Sequence, residues 1–147
     1  MNEDRFWEIM NLLNWKKAGN DELVVRPVVT ALSKLSDEDI FEFDEIMSKL
    51  LYDIDGQQWD AENEELSGDS FLYYRCVAVV NGRDYYYAVK ELKTKLDPDL
   101  EFESALYIPA EAWAKKNKKD SGDYPHITKY SFESFSNIKN WPHLNNK

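Results

Sequence analysis

One thiol, two imidazoles and 28 carboxylates are the groups of this 147-residue chain that could do chemistry. A thiol nucleophile needs a histidine beside it and a polarising, accessible setting. Cys76 instead sits in the apolar run "YYRCVAVV", while His126 and His143 both fall in the irregular C-terminal region. Cys76 is therefore expected to be buried and chemically quiet. "LYDIDGQQWDAE" puts Asp53, Asp55, Gly56 and Glu62 where a calcium loop has two early ligands, its turn glycine and its last ligand. The first ligand position holds Leu51 and the apolar position holds Gln58, so the stretch reads better as an acidic helix end broken at Gly56. There is no glycine-rich phosphate loop, no zinc-ligand spacing and no His-Glu-x-x-His. The residues thus point to no catalytic group, no metal and no cofactor. Arg75, among Tyr73, Tyr74, Cys76 and Val77, is expected to be partly buried and paired with an acid such as Asp69 or Asp84. A structural ion pair is favoured there over an anion site.

What the carboxylates suggest together is a surface. Net charge is −10, and residues 37–65 carry 12 acids against Lys49 alone. Such a field repels nucleic acid and draws a cationic partner, or else serves solubility. The expected contact set is Glu38, Glu42, Glu45, Asp53, Asp55, Asp60, Glu62, Glu64 and Glu65.

The elements that must position these groups are helical. Phe6, Ile9, Met10 and Leu13 predict a first helix near 4–17. Val25, Val28, Val29, Leu32 and Leu35 predict a second over 24–35, with Pro27 in or near its first turn because an interior proline costs about 3 kcal/mol. Ser36 caps a third over 37–54, whose Ile40, Phe43, Met47, Leu50 and Ile54 form a core stripe opposite Glu38, Glu42, Glu45 and Lys49. Asn81-Gly82 is a hairpin signal, but Tyr85, Ala88, Val89 and Leu92 follow at helical spacing. Helices over 70–80 and 84–94 are expected instead, the first opened by Ser67 or Asp69 and ended at a left-handed Gly82. A last helix spans 103–117, kinked or restarted at Pro109. The expected fold is mainly α, a single-domain helical bundle over 1–118. An irregular tail over 119–147 would fold Tyr124, Tyr130, Phe132, Phe135 and Trp141 back on the helices.

"DRFWEIM", "LSDEDIFEFDEIMSKLLYDID", "GDSFLYYRCVAVVNGRDYYYAV" and "LDPDLEFESALYIPAEAWAKK" together resemble the bacterial domain-of-unknown-function family 4240 over residues 3–118. The most specific piece is the pattern Asp69, Phe71, Arg75 and Gly82. The resemblance implies a small, mainly helical domain and brings no catalytic residues. Residues 55–67 are shorter and more acidic than the tryptophan- and alanine-rich stretch usual in that family.

Two function classes follow. One is an acidic protein-binding module facing a basic protein surface, such as an immunity-type antagonist of a cognate toxin. The other is an enzyme whose carboxylate or thiol site forms only in the fold. A single cysteine and the lack of an apolar run of about 20 residues or of a signal-like start predict a cytoplasmic chain without a membrane span.

Overall fold

The computed structural model describes residues 1–60 and 68–142. Among these residues the chain is mainly α, with six α-helices and no strand. They fall into two units: Met1–Met47 with Ser104–Lys129, and the described residues of Ser48–Glu103 with Tyr130–Lys147.

In the first unit, α1 (Glu3–Met10) starts where the Asn2 side chain accepts the Arg5 N–H, with Glu3 and Asp4 in the first turn. It stops at Asn11, earlier than its apolar spacing predicts, and Trp15–Lys17 form a separate 3-10 turn. α2 (Asp21–Ser33) begins three residues before the predicted start. Asn20 caps it by accepting the Leu23 N–H, and Gly19 breaks the chain ahead of it at φ 100°. Pro27 therefore lies inside the helix rather than in its first turn. It has no N–H to give the Leu23 carbonyl four residues earlier, a loss the strong cap and the buried Val24, Val25, Val28, Val29 and Leu32 offset.

α3 (Asp37–Asp53) opens on Ser36, whose hydroxyl accepts the Asp39 N–H at 3.1 Å. Its stripe of Ile40, Phe43 and Met47 is fully buried, and the Phe43 and Phe6 rings lie 4.7 Å apart. Each such side chain taken from water contributes roughly 1.5–3 kcal/mol. After a 3-10 turn at Glu103–Tyr107, α6 (Ile108–Asn117) restarts with Pro109 in its first turn, as the sequence predicts. It packs on α2, and Lys115 and Lys116 reach Thr30 and Asp37.

The second unit takes the end of α3, with Leu50, Leu51 and Ile54 buried. Its central element is α4 (Gly68–Val80), buried on almost every side from Phe71 to Val80. α4 contacts α5 (Arg83–Lys90), so the Asn81-Gly82 pair joins two helices rather than two strands. Gly82 has φ 96° and ψ 171°. That is not the left-handed helical basin expected but an extended region essentially reserved for glycine. The predicted helix over 84–94 ends sooner, at Lys90. There Lys93 N–H bonds the Ala88 carbonyl at 2.8 Å and Leu92 takes φ 63°. This is the closing motif in which glycine usually supplies the left-handed residue.

The C-terminal stretch is irregular and packs its aromatics back. Tyr124 lies against Phe41 and Trp113 in the first unit. In the second, Tyr130 meets Tyr52, and Trp141 meets Phe71 and Phe135.

Candidate binding site

The acids of α3 occupy unequal settings. Glu38 is exposed. Glu42 keeps 36% side-chain exposure and meets the Met1 amine. Glu45 accepts the Lys129 N–H on both oxygens at 3.1 Å and contacts His126 Nε2 at 2.9 Å. Lys49 bonds Asp53, which also faces Lys90 at 3.9 Å. The Tyr74 hydroxyl donates to Asp60 at 2.9 Å. The outer face of α3 is therefore not simply solvated, because the chain supplies its own cations and N–H donors to several of its acids. Ser67, Glu62, Glu64, Glu65 and His143 lie outside the described residues.

Asp55 requires a correction. It is fully buried and cannot belong to an exposed contact set. Its carboxylate accepts the Phe135 N–H at 3.0 Å, the Asn137 N–H at 2.9 Å and the Trp141 indole N–H at 3.0 Å. Its main-chain carbonyl accepts from the Asn140 side chain. Asp53 and Asp55 are thus committed to lysines and to the C-terminal stretch.

Arg75 is fully buried, with its guanidinium 4.6 Å from the centre of the Phe71 ring. Its partners are not Asp69 or Asp84. Both of these are exposed, and Arg75 donates to the Leu51 carbonyl at 2.8 Å, the Phe132 carbonyl at 2.9 Å and the Ser134 hydroxyl at 3.0 Å. Burial pushes its pKa down, and the charge of Asp55 is the main influence pushing it back up. Geometry makes this arginine a tie between α3, α4 and the C-terminal stretch.

The second unit also holds a cleft of 690 Å³, within the range of small-ligand sites. Trp59, Leu92, Leu96 and Pro142 give it apolar surface, and Lys95 and Lys139 give it charge. Trp59 is held by its indole N–H on the Val89 carbonyl at 3.0 Å. Gly56 lets the walls close: a Cβ there would stand 2.6 Å from Asn140 Cβ and 2.8 Å from Trp59 Cζ3. Sequence reasoning missed this cleft, because its residues are far apart in the chain and Leu92 reads as a core position at helical spacing. Leu92 is instead 58% exposed.

A family model described as "Protein of unknown function (DUF4240)" matches residues 1–115. The chain belongs to this family. No curated protein and no solved structure matches it. In this DUF4240 chain, Phe71 and Arg75 of the recognised pattern form one stacked pair, Gly82 is the α4–α5 turn, and Asp69 is exposed near the start of α4.

The DUF4240 chain also places its thiol and one imidazole. Cys76 is fully buried, and burial pushes its thiol up to about 12, so almost no thiolate exists at neutral pH. His126 stacks on Phe41 at 4.8 Å and faces Glu45, serving to pin the C-terminal stretch to α3 within the first unit. Among the described residues, no group of three or more His, Cys, Asp or Glu could hold a metal ion. No helix among them is long and apolar enough to cross a membrane.

Proposed function

We propose that this chain is a protein-binding module for a cationic protein surface, an immunity-type antagonist of a basic toxin being one such role. The observation that carries the reading is the first half of α3. Burial of Ile40, Phe43 and Met47 locks the helix about its axis, which turns Glu38 and Glu42 outward. With Asp55 buried and Asp53, Asp60 and Glu45 engaged internally, the contact set narrows to the exposed Glu38 and to Glu42, which keeps 36% side-chain exposure beside the Met1 amine. Charges of one sign there steer a partner more than they deepen affinity.

The test is capture on the immobilised chain from cells that carry it. A basic protein should be retained at low salt. It should be released by about 1 M salt, where the Debye length is about 3 Å. The Glu38→Lys/Glu42→Gln variant should fail to retain it; the glutamine keeps an acceptor for the Met1 amine. A captured protein indifferent to both changes would sink the reading.

A further inference from the structure

The cleft beside Trp59 shares no residue with the exposed edge of α3, and its chemistry is different. In a chain of net charge −10, this lining carries Lys95 and Lys139. Asp60 is the acid among its described residues, and it already accepts the Tyr74 hydroxyl. The described lining thus carries two cations against one carboxylate, opposite in sign to the chain as a whole. Beside the cations stand the indole of Trp59 and the side chains of Leu92 and Leu96.

Leu92 is informative. It combines two unfavourable features at one position, a left-handed backbone at φ 63° and a side chain 58% exposed. Glycine would relieve both. What the leucine adds is apolar wall on the cleft. The opposite wall is rigid, because Asn140 is bonded to the Asp55 carbonyl and the neighbouring Asn137 and Trp141 to the Asp55 carboxylate. Gly56 supplies the close approach between Asn140 and Trp59. Strain, exposed apolar surface, two cations and a braced wall thus converge on one cavity.

We propose that this cleft binds a small organic anion with an apolar body. The lysines take the anionic group, Trp59 and Leu92 cover the body, and Asn140 orients it through its remaining polar valences. The anion is a carboxylate, sulfonate or phosphate, which the lysines hold as point charges without demanding one geometry.

The probe is 1-anilinonaphthalene-8-sulfonate, an apolar ring system carrying one sulfonate, titrated into the full chain and followed by its fluorescence. One site should be filled. Lys95→Ala/Lys139→Ala should weaken it about tenfold or more, the loss expected when charge-assisted contacts are removed. Both lysines are exposed, so circular dichroism should show that variant folded. The uncharged analogue N-phenyl-1-naphthylamine should bind about tenfold more weakly for the same reason. Leu92→Gly should lose dye affinity while melting no lower than the parent.

A second groove, of 520 Å³ along α2, combines apolar residues with three cations, Lys17, Arg26 and Lys34, and so serves as the control. Arg26→Ala/Lys34→Ala should leave dye binding intact. Absence of binding, equal binding of the neutral analogue, indifference to Leu92→Gly, or loss only in the α2-groove variant would each overturn the proposal.

Discussion

Arg75 concentrates what single residues do in this chain. Its burial is legible in the sequence, since four large or apolar neighbours leave it no route to water. Its partners are not, because they stand 24, 57 and 59 residues away. No local pattern announces a backbone carbonyl as the acceptor. The same holds for Asp55, which reads as one acid among many until the C-terminal stretch arrives with three N–H donors. Arg75→Ala should destabilise the chain by about 3–5 kcal/mol in urea unfolding, because it leaves three acceptors unpaired and a cavity where the side chain was buried. A loss below about 1 kcal/mol would mean that water replaces the guanidinium. Cys76 is the contrasting case. Being fully buried with its thiol pushed up to about 12, it should resist thiol reagents in the folded state. Cys76→Ala should cost about 1 kcal/mol. Rapid labelling of the native protein would contradict that placement.

At the scale of elements, caps and stripes were legible where one helix face had to be apolar, as in α3. Element ends were less so. α2 starts early because Asn20 outcompetes the proline rule, and α5 ends early because Leu92 accepts a glycine conformation. Electrostatics at two helix ends give opposite signs with pH. Hydrogen bonds from Lys116 and Asn117 hold the Asp37 carboxyl below its usual range. The folded value lies under the unfolded one, near 3.9, so this contact's stability is present above that pH and lost as pH falls through the folded value. Asp37→Asn should lower stability slightly at neutral pH, the loss being small because the pair is exposed, and this loss should vanish in acid, flattening the acid limb by the same small amount. Glu111 on α6 is shifted up, by desolvation first and by Glu22 on α2 second. Its contribution to stability therefore declines as pH rises through and above about 4.3, the ordinary glutamate value. Glu111→Gln should raise the melting temperature at pH 7 and leave it unchanged near pH 3. Equal effects at both pH values would assign the change to packing rather than charge.

At the scale of the whole chain, charge was the most legible property and the easiest to misassign. A net charge of −10 and 12 acids within residues 37–65 follow from the sequence. How many of those acids face outward does not, because folding brings the Met1 amine, Lys49, Lys90, Lys129 and His126 to them. The field that a partner meets is consequently smaller than the composition suggests, and it should be carried by a few residues. Glu38 and Asp39 stand in the first turn of α3, where the helix dipole favours acids without neutralising their long-range field, and Glu42 follows in the next turn. Changing them together to Glu38→Gln, Asp39→Asn and Glu42→Gln should preserve the helical signal, since every burial on the opposite stripe is untouched. With the cationic partner in hand, stopped-flow association at low salt should slow by about an order of magnitude, the low end of electrostatic steering. The dissociation rate should move much less, because exposed charges screened over about 8 Å at physiological salt guide encounter more than they hold a complex. A slower dissociation or an unchanged association rate would place the partner's contact elsewhere. The acids of α3 would then serve to anchor Met1, Lys129 and His126 rather than to recognise another protein.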